Sequence, residues 1–504
     1  MTETSSTAMS QLTVPPAAPS MPAVPPPAYS SGASDPEKAI DLVPEAKRLP
    51  SYSSSASTLD EKADIKKAEV WEGFQDDELP DKTQGRLVRN VRFQMLSLYR
   101  RLFGIVFFTN LGIFVWYCVK GANASQIATV VIANLFASIL MRQEYVINTF
   151  FAVACLAPKS WPLWIRRILA RVYSIGGRAG VSGTVWFILF VGKATREVID
   201  KGKTSVPTLA LSYVILALLV GMVTFAYPAF RVKYHDHFEA IHRLAGWTAV
   251  ALVWAQVVLL IDDYRAEDET LGHAVVHSAP FWLVVVLTCS IILPWLRLRK
   301  VPVRAEVLSD HCVRFYFDYV NTHPGHFTRM SVNPLFEWHS FATIAEPGKK
   351  GYSAVISRAG DWTIQQIRNP PERIWIRGIP CYGVVRVTPL FRRVVMVATG
   401  SGIGPIAPVV FAKRTEIQLL WTASAHRKTF GDKLVDSLLE ASPDTVIYDT
   451  RVHGRPDMVK LTYRMVQEFN AEAVVIIANQ PITEKVVYGM MSRGIPAFGA
   501  IWDS

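Results

Sequence analysis

Between residues 102 and 297 the chain carries six apolar segments, at 102–119, 124–141, 181–193, 207–230, 242–261 and 279–297. A helix of roughly 20 apolar residues crosses the hydrocarbon of a bilayer, and only elements that bond their own backbone persist there. The run therefore predicts a six-helix transmembrane domain over residues 86–300. The third segment is short, and the small residues from Ile175 onward complete it. Charges set the orientation. Arg86, Arg89, Arg92, Arg100 and Arg101 precede the first segment, and Lys159, Arg166, Arg167 and Arg171 follow the second. Arg231, Lys233 and Arg243 flank the fourth-to-fifth turn, and Arg297, Arg299, Lys300 and Arg304 follow the sixth. The acidic run "IDDYRAEDE" at 261–269 falls on the opposite side. Basic loops stay cytosolic, so a multi-pass integral membrane protein with both termini in the cytosol is expected, in the plasma membrane or the endoplasmic reticulum. The formal net charge of +11 is largely explained by these loops, and nucleic acid is not an expected partner. One stretch resists the scheme. "EYVINTFFAVACLA" at 144–157 is too short to cross, and either lies in the interface or extends the second helix.

Residues 1–85 are rich in Ser, Pro and Ala without apolar periodicity, which predicts a disordered cytosolic tail. Pro26-Pro27-Ala28-Tyr29 and Leu49-Pro50-Ser51-Tyr52 have the form of ligands for WW domains, whose aromatic grooves take preformed polyproline segments. Short motifs of this form arise by chance in such tails, so the plain reading as solvated tail comes first. Cys118, Cys155, Cys289, Cys312 and Cys381 show no metal-ligand spacing, so neither a disulfide framework nor a metal site is expected.

Beyond residue 300 the pattern changes. Short alternating runs such as "GYSAVIS" and "ERIWIRGI", punctuated by Pro and Gly, predict an antiparallel β-barrel over 301–390. From 391 to 504 strands alternate with helices, which predicts an α/β domain on a parallel sheet. The first strand of that domain runs into Gly400-Ser401-Gly402-Ile403-Gly404-Pro405 and then a helix. Glycines at such a turn admit a pyrophosphate close to the backbone, and the helix N-terminus offers N–H groups to it. The second strand ends in "TASAHRKTFG" with no acidic residue for a ribose hydroxyl. His426, Arg427 and Lys428 there suit a 2′-phosphate, hence NADPH ahead of NADH.

Together these residues resemble the ferredoxin–NADP reductase superfamily, in the membrane branch that contains ferric reductases and NADPH oxidases. The branch's His-Pro-Phe-Thr flavin motif corresponds to His339-Ser340-Phe341-Ala342, and its GxxS/T motif to Gly360-Asp361-Trp362-Thr363. A Gly-Pro-Tyr-Gly element survives in part as "IPCYG", with Tyr382 and Gly383. The resemblance implies an FAD site at His339, Ser340, Phe341, Gly360 and Thr363, with Trp502 stacking on the flavin. It implies nucleotide contacts at Gly400, Gly402, Gly404, Pro405, Arg427, Lys428 and Arg455. The superfamily's Cys-Gly motif is replaced by Ala478-Asn479-Gln480-Pro481.

Bis-histidine haem ligation needs paired histidines on facing helices. Tyr173, Trp186-Phe187 and Gln256 occupy positions where such ligands align, and only His242 remains, so haem is not expected. Arg142-Gln143-Glu144-Tyr145, Asp449-Thr450, Gly454-Arg455-Pro456-Asp457-Met458 and Gly499-Ala500-Ile501-Trp502-Asp503-Ser504 bring the chain closest to fungal TmpA-type integral membrane oxidoreductases. The implied activity is hydride transfer from NADPH to FAD on the cytosolic face, with a non-haem route to an unknown acceptor. A degenerate reductase serving as a membrane redox sensor or scaffold is the rival reading. A transporter is a third, resting on Arg178 and Gln256.

Overall fold

A computed structural model describes residues 71–91, 98–174, 179–227, 230, 234–345 and 348–500. The motifs at Pro26, Pro27, Tyr29 and Tyr52, together with Arg178 and Trp502, lie outside the described residues.

The N-terminal half is helical: α1 (Leu98–Lys120), α2 (Ala124–Leu140), α3 (Glu144–Ala154), α4 (Leu163–Leu169), α5 (Ala179–Ile199), α6 (Val206–Phe225), α7 (His235–Tyr264), α8 (Leu271–His277) and α9 (Ala279–Ile292). Asn123 starts α2 by accepting from the Gln126 N–H, and Ser205 starts α6 by accepting from Thr208. Helix α2 packs on α5 and α9, and α6 on α5 and α7. All six expected segments are helical, yet fewer satisfy the requirements of a span. Among the described residues, Val206–Phe225, His237–Tyr264 and Ala279–Arg297 are long and apolar enough to cross a membrane. A fourth qualifies only if α2 and α3, bent by 69°, count as one. Helix α5 carries Lys193, Arg196 and Glu197 in its last turns, and Gly104–Lys120 is a shorter apolar helix. Among the described residues, three helices, or four with the bent pair, have the length and apolar composition of a span, short of the six expected.

The stretch at 144–157 takes neither expected course. It forms α3, which turns away from α2 and lies along a β-strand of the C-terminal half. Glu144, Asn148, Phe151 and Cys155 recur at helical spacing and share one face.

The C-terminal half begins with β1 (Arg299–Pro302), β2 (Arg304–Ser309), β3 (Cys312–Phe317), β4 (His326–Ser331), β5 (His339–Ala342), β6 (Tyr352–Ser357), α10 (Asp361–Arg368) and β7 (Arg373–Tyr382). These strands make two antiparallel sheets, β1-β7-β4-β5 and β2-β3-β6, linked by the Ile344–Ser353 bridge. The expected barrel does not close. Strand β1 covers only residues 373–376 of β7, so the far end of β7 has an open edge, and α3 fills it. Ile379 donates to Glu144 Oε2 at 2.8 Å, Asn148 Nδ2 donates to the Pro380 carbonyl at 2.9 Å, and Tyr382 donates to Asn148 Oδ1 at 2.9 Å. Glu144 is 1% exposed and also holds Arg329. It approaches so closely that a Cβ at Gly378 would run into its carboxylate.

The remaining elements are β8 (Arg393–Thr399), α11 (Ile403–Phe411), β9 (Glu416–Ala423), α12 (His426–Phe430), α13 (Asp432–Ala441), β10 (Val446–Asp449), α14 (Thr450–His453), α15 (Met458–Phe469), β11 (Ala473–Ile477), α16 (Gln480–Met491) and β12 (Ala497–Gly499). Their strands form a parallel sheet in the order β10-β9-β8-β11-β12, as the alternation of strands and helices predicts. Strand β8 is buried on both faces: Val394, Met396 and Ala398 enter one core, Val395 and Val397 the other.

Other parts of the chain complete both cores. Phe151 of α3 and Ala170 join the first, and Phe74 joins the second. Residues 71–85, expected to belong to the tail, instead strap the sheet's outer face. Phe74 is 2% exposed, and Asp77 pairs with Arg464 at 2.8 Å. Burying such a ring stabilises the fold by about 1.5–3 kcal/mol.

Arg166, expected as a topology-setting charge, is 2% exposed. It grips Glu472 through two hydrogen bonds of 2.7 and 3.0 Å and donates to the Leu390 carbonyl. Breaking a buried pair strands the remaining charge. Arg166→Ala is expected to destabilise the protein by about 3 kcal/mol. Arg166→Lys, which loses the planar fork, should fall between the two. Thermal unfolding of the purified protein checks both.

Candidate nucleotide and flavin sites

The order of the parallel sheet places its switch point between β8 and β11, because the chain departs from β8 toward β9 and returns on the other side at β11. Ligands of such sheets bind at the carboxyl ends of the strands flanking that point. The glycine turn stands there. Gly400 has φ +52°, and its carbonyl accepts from Trp421 Nε1 at 3.0 Å. Gly402 is pressed on β11: a Cβ there would collide with the Ile477 carbonyl. Gly404 has open space where its Cβ would be, and so does Gly400.

Helix α11 follows directly. The Ile403 N–H is bonded to the Gly400 carbonyl and Pro405 has none, so Gly404 carries the remaining first-turn donor. An open cradle with a free helix N-terminus fits a nucleotide phosphate.

The loops after β9 and β10 flank the turn. Asp449 staples them, accepting from Ala425 at 3.1 Å and from Arg451 at 2.9 Å. Ser424 and Thr450 share a hydroxyl–hydroxyl bond of 3.1 Å. The sequence offered Asp449-Thr450 only as part of a resemblance and Ser424 not at all, because only the sheet brings the two loops together.

The basic residues assigned to a 2′-phosphate separate. His426 is buried and bonded to the Trp421 carbonyl, and burial lowers its pKa despite that bond and the nearby Asp449. Arg427 is held by Asp432 at 3.2 Å and Asp436 at 2.7 Å, which ties α12 to α13. Lys428 is exposed. Arg455 is also exposed, in a turn opened by Gly454 at φ +73° and closed by Asp457, which caps α15. Asn479, in the Ala478-Asn479-Gln480-Pro481 stretch that stands in place of a Cys-Gly motif, caps α16 by accepting from Ile482 at 3.1 Å.

The flavin candidates come together around an indole. Trp362 stacks on His339, with centroids 4.2 Å apart, and on Phe341 at 5.6 Å, while its Nε1 donates to Glu337. Ser340 points to the other side of β5 and is exposed. Thr363 sits one turn inside α10 and reaches back: its Oγ1 accepts from Ala359 at 2.8 Å and from Gly360 at 3.0 Å. Gly360 has open space at its Cβ position, so the N-terminus of α10 fits a phosphate as well. The aromatic part of the motif fits less well, because Trp362 covers the His339 and Phe341 faces that a flavin ring would use.

Tyr382 lies between Phe151 of α3 and His326, 4.1 Å from the latter, with the Arg386 guanidinium 4.6 Å above its ring. His326 is a residue that sequence reasoning missed; a histidine on a strand carries no signal before its neighbours are known. In the helical half, Trp186 and Phe187 pack in the core, and Gln256 donates to Ser212 at 2.7 Å.

Residues 384–504 match the family model described as adenylate-forming reductase 03009, C-terminal domain. The chain is 60% identical over 464 residues to adenylate-forming reductase 03009 of Coprinopsis cinerea, covering 91% of this chain and 45% of that protein. It is 57% identical over 456 residues to adenylate-forming reductase 06235 of the same fungus, covering 90% and 44%. The chain therefore spans less than half the length of these relatives. Among solved structures, a ferredoxin NADP+ reductase from Neisseria gonorrhoeae with bound FAD and NADP aligns over 40% of this chain and 98% of its own. The identity there is 13% and the TM-score 0.35, a likeness that decides nothing further.

Two outcomes test the geometry. Gly404→Ala should leave the unfolding midpoint unchanged and weaken NADPH binding, whereas Gly402→Ala should lower the midpoint itself; titration calorimetry and thermal unfolding separate them. The second concerns acid. Burial, with His323 and Arg386 beside it, lowers the His326 pKa from 6.5 to about 3. Between those values the unfolded chain binds the extra proton, so this contribution is present above pH 6.5 and lost as pH falls toward 3. His326→Asn should flatten that part of the acid limb in unfolding midpoints measured from pH 4 to 8. Over nearly its whole length, then, the chain is similar to one part of an adenylate-forming reductase.

Proposed function

We propose that this chain is a membrane-anchored, FAD-dependent NAD(P)H oxidoreductase module that transfers hydride from NADPH to flavin and passes electrons to an acceptor without haem. The observation that carries the reading is the glycine turn at the sheet's switch point, with Gly404 open and α11 behind it. The flavin supplies the capacity to take a hydride from nicotinamide; the protein orients the two and keeps water away. Gly400, Gly402, Gly404 and Arg455 serve the nucleotide, and the N-terminus of α10 serves the flavin phosphate.

The apolar helices support the anchor. Phe108, Trp116, Val185, Val214 and Trp282 are exposed on them, and large exposed apolar surfaces mark contact with protein or membrane. The relatives are named as reductases that form adenylates and are about twice as long, so we assign the reductase work to the shared region.

A second reading, a degenerate reductase acting as a sensor or scaffold, is favoured by Trp362 covering His339 and Phe341 and by Asn479 serving as a helix cap. The visible spectrum of protein purified with FAD, followed by NADPH under argon, separates the two. Flavin bands that bleach support the oxidoreductase. Bound flavin that does not bleach supports the sensor, and no bound flavin sinks the proposal. A Soret band would overturn the non-haem route.

For nucleotide choice, Arg455→Ala should raise the KM for NADPH about 10-fold or more, as loss of a charged hydrogen bond implies, and leave that for NADH unchanged. Arg427→Ala should do less, because Asp432 and Asp436 already hold that guanidinium.

A further inference from the structure

Between α7, α9 and the turn at Trp295–Arg297 that follows α9, an open cavity of about 290 Å³ is lined by Trp247, Val250, Thr288, Ile291, Ile292 and Trp295. That is just below the usual range of ligand pockets, roughly 300 to 1,000 Å³, and leaves room for no more than a single ring. Trp247 and Trp295 meet edge to face at 5.4 Å and 73°, forming two flat walls.

The single hydroxyl in the lining is unusual for its setting. Thr248 and Ser290, on the same two helices, donate to the carbonyl one turn back. Thr288 instead accepts from Trp254 Nε1 at 2.9 Å. Among the described residues its own O–H has no acceptor, so it is available to a ligand.

A cation stands behind the wall. The Arg377 guanidinium lies 4.8 Å from the Trp295 ring and 4.5 Å from that of Trp338, and its Nε has no hydrogen-bond partner. Burial, together with Arg329 and Arg243, lowers its pKa to about 10, so it stays charged at neutral pH. Trp338 in turn packs on Trp295 at 6.1 Å and immediately precedes His339 of the flavin motif.

We infer that this cavity binds the ring of a lipid-soluble quinone, with Thr288 donating to one carbonyl and the ring lying against the indoles of Trp247 and Trp295. A saturated acyl chain has no use for a hydroxyl donor or for positive potential behind the wall, whereas a ring edged by carbonyl oxygens matches both. The exposed Ile292 and Leu296 leave an apolar path for the tail. The inference rests on the oxidoreductase reading for its purpose, because the electrons need a destination. The balance closes: NADPH, a proton and quinone give NADP+ and quinol, two electrons and two protons entering the ring.

The test uses the full chain in detergent without NADPH, so binding is read independently of flavin chemistry. An azidoquinone photolabel is competed with decylubiquinone or with decylbenzene, which lacks carbonyls. The labelled peptides are then mapped, and affinity is measured by dialysis. Labelling within 247–250 and 288–295, displaced by decylubiquinone and not by decylbenzene, is expected. Thr288→Val should weaken decylubiquinone about 2- to 10-fold, the value of one neutral hydrogen bond, and Thr288→Ser should restore it. Trp247→Leu is a second variant, and unchanged helicity confirms folding for each. Equal competition by decylbenzene, an unaffected Thr288→Val or labelling elsewhere would each overturn the assignment. A protein that binds quinone and holds no flavin would sink the oxidoreductase reading alone.

Discussion

The carboxylate of Glu144 organises the junction between the two halves of the molecule. A charge that is 1% exposed costs several kcal/mol unless its lone pairs are met. Here the Ile379 N–H and the Arg329 guanidinium meet them. The demand fixes where α3 lies, and with it the 69° bend that ends α2. Asn148, one turn on, then supplies both a donor and an acceptor to the same strand edge. An edge with unpaired N–H and C=O groups is thereby satisfied by helix side chains, and no further strand is needed.

The consequences reach Tyr382 and the core of the parallel-sheet domain. Once α3 is seated, Phe151 touches the Tyr382 ring and enters the core beneath the parallel sheet. The chain then continues into α4, where Arg166 locks Glu472 just before β11. The segment between two apolar helices thus grips both layers of the C-terminal half. The strap at 71–85 grips the opposite face through Phe74 and Asp77, so the parallel sheet is held from both sides by residues remote in sequence.

The three glycines of the turn divide the work. Gly400 supplies a left-handed conformation, Gly402 a contact with the β11 carbonyl, and Gly404 an opening. A sequence motif treats them as equivalent; packing does not. The same distinction sorts the basic residues near the second strand. His426 turns inward and Arg427 sideways to two carboxylates, while Arg455 comes from a different loop to the exposed carboxyl edge of the sheet.

Local rules were sufficient for much of the chain. Apolar runs marked where the helices lie, and alternation marked β6 to β11, because period and turn chemistry are properties of neighbouring residues. The turn at Gly400–Pro405 was legible for the same reason. What the sequence could not decide depended on partners hundreds of positions away. Whether "EYVINTFF" crosses, floats or docks turned on an unpaired strand edge at 378–382. Arg166 passed for a cytosolic marker until Glu472 stood beside it, and Phe74 for part of a tail until the sheet offered it a core. Hydrophobic pattern and spacing determine which elements form. Only tertiary structure brings a charge to its counter-charge and an edge to its cover, since desolvation and hydrogen bonding act between surfaces that the linear order keeps apart.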